Sequence, residues 1–218
     1  MDALGLAGAL EGIRTLTHGR RISGRIHTVR LGHADQGDPS APPVHLGAKA
    51  IEACQPGDVI AVANDGRTDS GAWGGLLSVA AKLRGVAGVV IDGVCRDVDE
   101  ASDLDFAVFA CGATPLSARG RTVELATDQE VVLAGISARP GDFVVADGTG
   151  VVLVPAAHAE AVVTKAETLA HREQELLAKL HDGASVTTVL DHRYEHMLHD
   201  GAGQTDPDGG PENGEVHE

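Results

Sequence analysis

Arg96 and Asp97 are the adjacent pair whose types and setting could do chemistry. They follow Val86 to Ile91, a short apolar run of buried-strand type, and they precede a helical pattern from Val98 to Leu104. A planar guanidinium can clamp a carboxylate or polarise a carbonyl. A carboxylate is a hard oxygen donor suited to magnesium or manganese. Upstream lies a glycine-rich loop, Gly66 to Gly75, in which Trp73-Gly74-Gly75 opens a second helical pattern. Free N–H groups at such a start, with the helix dipole, favour a carboxylate or phosphate. Glycine lets a ligand approach the backbone closely. The same residues also read as an ordinary turn and a surface ion pair.

The elements around this stretch must position it. Leu76, Leu77, Val79, Ala80 and Leu83 recur at helical spacing, so the unit from Gly66 to Asp97 reads as loop, helix, strand and second helix start. In open α/β folds, chemistry sits at loops beyond strand ends. Asp2 to Ile13 reads as a short amphipathic helix with Asp2 as its cap. Strands are expected at Ile22–Val29, Asp58–Ala63, Phe106–Ala110, Thr122–Leu125 and Val131–Ala134, and a helix at His45–Cys54. Gly32 to Pro43 reads as a loop, and Asn64-Asp65-Gly66 as a turn. The run from Gly141 to Pro155 reads as two strands joined by a tight Asp-Gly turn. Ala157 to His181 is the longest helix, with Val162, Leu169, Leu176 and Leu180 on its apolar stripe. Ser185 to His199 reads as a further helix, whose His192, His196 and His199 share one face that could hold a transition metal or simply be solvated. Gly201 to Glu218 is rich in Gly, Pro, Asp and Glu and is expected to be a disordered acidic tail.

Composition bounds the function. At 218 residues with 43% hydrophobic residues, the chain can bury a full core. Aromatics are 2%, so Val, Leu, Ile and Ala must build that core, and base-stacking platforms for single-stranded nucleic acid are disfavoured. The net charge of −15 opposes phosphate-backbone binding. No nucleic-acid partner is expected. Cys54, Cys95 and Cys111 have no metal spacing and read as reduced thiols. No apolar run has the length of a membrane span, and Glu11 and Arg14 interrupt any signal-peptide layout. A cytoplasmic protein with no membrane partner is the expectation.

The sequence resembles the family that joins class II pyruvate aldolases (4-hydroxy-4-methyl-2-oxoglutarate aldolase and 4-carboxy-4-hydroxy-2-oxoadipate aldolase) with regulator of ribonuclease activity A (RraA). The matching blocks are Trp73-Gly74-Gly75-Leu76-Leu77, Arg84 to Gly93, Arg96-Asp97, and Gly141 to Pro155. Asp2-Ala3-Leu4, Gly57-Asp58-Val59 and Gly112-Ala113-Thr114-Pro115 also fit the family's pattern. The aldolases carry an Asp, twenty residues, then Arg-Asp. That first Asp position is Gly75 here. The resemblance covers residues 2–183, sharpest at 73–97 and 141–155.

The resemblance implies an α/β fold: a single RraA-like domain over residues 1–183 with a central mixed β-sheet layered by helices. A C-terminal helix at 184–200 and the tail at 201–218 follow it. It implies a homotrimer or hexamer, with the long helix as a subunit contact. It implies a lyase that cleaves a small 4-hydroxy-2-oxo acid to pyruvate, or decarboxylates oxaloacetate, through an enolate. Asp97 would anchor Mg²⁺ (or Mn²⁺) as Lewis acid. Arg96 would stabilise the enolate oxygen. Backbone at Gly74, Gly75, Leu76 and Leu77 would hold the substrate carboxylate. The missing Asp leaves the base for aldol cleavage open. Asp69 or Asp65 in the same loop could replace it, or a carboxylate such as Glu173 or Glu175 from a neighbouring subunit. Alternatively, decarboxylation, which needs no base to break its bond, survives alone. Asp69 equally reads as a turn residue. Two other outcomes stay open: a non-catalytic protein-binding regulator of ribonuclease activity, and a hydro-lyase of a biosynthetic pathway.

Overall fold

The computed structural model describes residues 1–17, 19, 21–38, 40 and 45–190. By internal contacts the chain forms two units, one of Ala7–Val162 and the other of Met1–Leu6 with the residues from Val163 onward. The first unit is built on an eight-stranded mixed sheet. Its strands are β1 (Arg14–Thr15), β2 (Ile22–His33), β3 (Val59–Arg67), β4 (Gly88–Cys95), β5 (Ala107–Ala113), β6 (Thr122–Thr127), β9 (Phe143–Ala146) and β10 (Val151–Val154). The order is β1-β5-β4-β3-β2-β9-β10, with β6 also paired to β2. Strands β2 to β5 run parallel, and β1, β6, β9 and β10 pair antiparallel. A separate hairpin joins β7 (Val131–Leu133) to β8 (Ile136–Ala138).

The central strands are buried on both faces, which is why they read as continuous apolar runs. Along β3, Ile60 and Val62 point to one core, and Val59, Ala61 and Ala63 to the other. In β4, Val89 and Ile91 alternate in the same way with Val90. Three helices cover the first face: α1 (Ala48–Ala53), α2 (Gly75–Leu83) and α3 (Val98–Asp103), contributing Ile51, Leu77 and Ala101. The second face is covered by the β7–β8 hairpin, through Val131 and Leu133, and by Leu10 and Ile13. Phe106 serves one core and Phe109 the other, both fully buried. Truncating either to Ala costs about 3–5 kcal/mol.

The mixed α/β architecture agrees with the sequence reading, and several boundaries differ. Asp2–Leu4 is a single 3₁₀ turn, and the chain after it forms no helix before Ile13, with Ala9 bridged to Val152. Pairing with the sheet overrides the amphipathic pattern expected to make a helix to Ile13. Strand β2 runs on to His33, so the start of the expected Gly32–Pro43 loop is strand, followed by a 3₁₀ turn at Ala34–Gln36. Asn64-Asp65-Gly66 does not end β3. Asp65 and Gly66 take positive φ (53° and 65°), and the pairing jumps from Ala63↔Asp92 to Arg67↔Gly93. The turn residues thus form a bulge inside the strand. Likewise β5 continues through Gly112 and Ala113, and β8 was not foreseen.

In the second unit, α4 (Ala159–His181) belongs mainly to the residues from Val163 onward, with α5 (Val186–Val189) after it. No α4 residue is fully buried, and Leu169, Leu176 and Leu180 are half-buried. The expected helix to His199 is described only to Val189; His192, His196, His199 and the tail from Gly201 lie outside the described residues. No described helix is long and apolar enough to cross a membrane.

Candidate active site

Strand β4 ends at Cys95, so Arg96 and Asp97 emerge at the carboxyl edge of the parallel strands. The preceding loop is stitched to that edge by Ala72 N–H to the Val94 carbonyl (2.8 Å) and Arg96 N–H to the Trp73 carbonyl (2.9 Å). Gly71 N–H donates to the Leu116 carbonyl (2.8 Å), which draws in the loop after β5. Trp73 is buried under this edge, its indole N–H donating to the Ser78 hydroxyl at 3.1 Å.

Asp97 sits at φ 58°, ψ 44°, a left-handed conformation that Asp tolerates better than most residues. Strain of this kind clusters at functional sites. Its Oδ2 accepts the Gly75 N–H at 2.8 Å and the Arg96 Nη2 at 3.3 Å. Space for this arrangement depends on glycine. A Cβ on Gly74 would lie 2.9 Å from Asp97 Oδ2, and one on Gly71 would lie 2.4 Å from Arg96 Cγ. The Gly75 N–H is therefore spent on positioning Asp97. Leu76 and Leu77 follow in the first turn of α2, where N–H groups have no partner within the helix.

A cavity of about 440 Å³ opens here, lined by Gly71 to Leu77, Arg96, Asp97, His45, Leu46 and Ser117 to Arg119. That volume lies in the range of small-molecule sites, about 300–1,000 Å³. The structure brings Gly74, Gly75, Leu76, Leu77, Arg96 and Asp97 together on its wall. Asp69 is not among the lining residues. Its carboxylate takes two hydrogen bonds from Arg67, at 3.0 Å each, which hold it below its ordinary carboxylate range. Asp65 is exposed in the β3 bulge and does not line the cavity either. Glu173 and Glu175 are exposed on α4. Burial, with Asp97 adding, pushes the Cys95 thiol up to about 11, so it is an inert neighbour.

Sequence reasoning missed His45 and Arg119. Nothing local marks His45. For Arg119 the signal was present: Ser117-Ala118-Arg119 follows β5, a parallel strand ending at the same edge as β4. The cavity thus combines a helix start, two arginines, one carboxylate and one imidazole. Such a set suits a small polyanionic acid. Asp97 Oδ1 accepts no hydrogen bond from the described residues, so one hard oxygen is left for a cation. That donor set fits magnesium, which takes few protein ligands and keeps its waters.

A mixed α/β sheet carrying this site at its strand ends defines the class. The chain belongs to the RraA-like family (Aldolase/RraA), whose family model matches residues 1–153. It is 26% identical over 196 residues to Protein DlpA of Legionella pneumophila, covering 89% of this chain and 31% of that protein. The chain therefore spans about a third of that relative's length. An uncharacterised protein of Methanocaldococcus jannaschii is 30% identical over 189 residues, 84% of this chain and 86% of that one. A 4-hydroxy-4-methyl-2-oxoglutarate aldolase of Thermus thermophilus is 31% identical over 136 residues, 62% of this chain and 76% of that one. Among solved structures, Streptomyces coelicolor RraAS2, described as an unusual member of the RNase ES inhibitor RraA family, superposes with a TM-score of 0.72 at 30% identity. It covers 83% of this chain and 88% of that one. The proteins this chain resembles thus include one named as an aldolase and one described as a member of a ribonuclease-inhibitor family.

Proposed function

We propose that this chain is a divalent-metal-dependent lyase that releases pyruvate from a small oxo acid. The observation that carries the reading is the Arg96–Asp97 pair held against the start of α2 in one cavity. Asp97 would hold Mg²⁺ or Mn²⁺, which supplies Lewis acidity toward the pyruvyl oxygens. The chain's own groups do the rest. Leu76 and Leu77 N–H groups bind the substrate carboxylate. Arg96 donates to the C2 oxygen as it gains negative charge. In oxaloacetate decarboxylation the C3–C4 bond breaks, and its electron pair becomes the C2–C3 double bond while the carbonyl pair moves onto that oxygen. Carbon dioxide leaves with no base required, and C3 then takes a proton from water to give pyruvate. In retro-aldol cleavage the 4-hydroxyl must also lose its proton. Gly75 cannot take it, and among the described lining residues His45 is the one besides Asp97 able to do so. We assign His45 that role.

A homotrimer or hexamer is part of the proposal. Leu76, which lines the cavity, is 75% exposed and Leu83, at the other end of α2, is 82% exposed, and a second copy would cover them. A regulatory role, as in the relatives described as ribonuclease inhibitors, is the second reading, favoured by the same exposed apolar residues.

The test is pyruvate release from oxaloacetate and from 4-carboxy-4-hydroxy-2-oxoadipate, with magnesium or chelator, beside Asp97→Ala. Metal-dependent release lost in the variant supports the lyase. Release from oxaloacetate alone would mean the aldol base is absent. No release from either substrate would overturn the lyase reading and leave the regulator.

A further inference from the structure

At the opposite edge of the parallel strands lies a second constellation that plays no part in the site above. His27 is on β2, Asp58 immediately precedes β3, and Cys54 caps the end of α1. One ligand atom from each lies within 4.8 Å of the other two. Cys54 and Asp58 are buried, and His27 keeps 19% of its side chain exposed. We propose that His27, Cys54 and Asp58 bind a transition-metal ion of the zinc type, independently of the magnesium-type site at Asp97.

Three observations support this. The donor set is one imidazole nitrogen, one sulfur and one carboxylate oxygen, which suits zinc and not magnesium. His27 Nε2 and Asp58 Oδ2 are 3.3 Å apart. Two ligands about 2.0–2.1 Å from a tetrahedral ion stand about 3.3–3.4 Å apart, so this edge already has the required length. The other ring nitrogen is held from behind: Nδ1 lies 3.0 and 3.1 Å from the two oxygens of Asp128. A carboxylate on the far nitrogen fixes the tautomer that leaves Nε2 free to ligate, as the supporting groups of zinc histidines do. Asp128 is itself locked, its N–H donating to the Thr28 carbonyl at 2.8 Å and its Oδ1 accepting the Thr28 N–H at 3.3 Å.

The backbone preorganises the ligands. Cys54 and Asp58 flank a tight turn in which Gln55 N–H donates to Asp58 Oδ2 (2.8 Å) and Asp58 N–H to the Gln55 carbonyl (3.0 Å). Gly24 lets that turn settle on β2: a Cβ there would lie 2.2 Å from the Gly57 carbonyl oxygen. Arg25 Nε, 3.7 Å from Asp58 Oδ1, is the competing cation and leaves Oδ2 to the cluster. The fourth position falls to water on the exposed side of His27. Bound there, the ion ties α1 and β3 to β2, a structural role.

The alternative is a metal-free chain of ion pairs, with His27 bridging Asp58 and Asp128. Cobalt(II) titration of the full chain separates the two. The expected result is one high-affinity ion per chain, with a thiolate-to-cobalt charge-transfer band in the near ultraviolet, displaced by zinc. Cys54→Ser should abolish the band, Asp97→Ala should leave it intact, and Asp128→Asn should weaken binding by about 10–100-fold. His27→Gln provides the check if Cys54→Ser fails to fold. Absence of the band, or a band that survives Cys54→Ser and His27→Gln, would overturn the proposal. The thiolate band also separates this site from any imidazole-only binding by the C-terminal histidines.

Discussion

Gly71→Ala gives the sharpest test of how the site is built. The added Cβ would lie 2.4 Å from Arg96 Cγ, 3.2 Å from Arg96 Cδ and 3.2 Å from the Leu116 carbonyl oxygen. Cγ lies one bond beyond Cβ, so relieving the contact means turning Arg96 about χ1, which carries the whole guanidinium with it. Ordinary contact requires Arg96 to retreat by about 1 Å, and a misplacement of that size costs on the order of 10²-fold in rate. Losing the donor entirely costs about 10²–10³-fold. The expected result is a kcat for pyruvate release from oxaloacetate about 10²-fold below wild type, close to that of Arg96→Met. Magnesium affinity should change little, because Asp97 keeps its bond to Gly75. Overpacking should cost about 1–3 kcal/mol. At about 2–4 °C per kcal/mol for a chain of this size, the melting temperature should fall by about 2–12 °C, so an assay at 25 °C reads the site and not unfolding. A Gly71→Ala enzyme with wild-type kcat, beside an inactive Arg96→Met, would refute the claim that this glycine positions Arg96. Wild-type activity in Arg96→Met would refute the assignment of Arg96 itself.

Three further outcomes are expected. Gly75→Asp places its Cβ 3.4 Å from Asp97 Cβ, tight but tolerable; it should raise magnesium affinity and the ratio of aldol cleavage to decarboxylation, and an unchanged ratio would count against Gly75 as the position of the missing acid. His45→Gln should lower aldol cleavage by about 10²-fold and spare decarboxylation; equal loss of both would assign His45 to binding. Asp69→Asn should leave pyruvate release within a few-fold of wild type, and a loss above tenfold would return the base role to it. Its pairing with Arg67 depresses the folded-state value below the ordinary 3.8, so the stability it contributes is present above that pH and lost as pH falls through the lower value. The wild type should therefore exceed Asp69→Asn in thermal stability at pH 7, and the gap should close in the acid limb.

The sequence carries the layered α/β class in its apolar runs, because Val59 to Ala63 of β3 and Val89 to Ile91 of β4 face a core on each side of the sheet, and the family resemblance points to the same class. It also determined the place of Arg96 and Asp97 just beyond a strand end, since the apolar run and the glycine-rich helix start bracket them within one local unit. Which groups share the cavity follows from long-range pairing and not from local pattern. His45 and Arg119 arrive from loops far away in the chain, and parallel pairing of β4 with β5 brings the Arg119 loop to the same edge. Asp69 looked available in its loop, yet Arg67, two residues before it, takes both its oxygens. Asn64-Asp65-Gly66 carried true turn chemistry, but the flanking ladder continued past it and turned it into a bulge. His27 shows no metal spacing with Cys54 and Asp58 because β2–β3 register brings it to the turn that holds those two, without regard to separation along the chain.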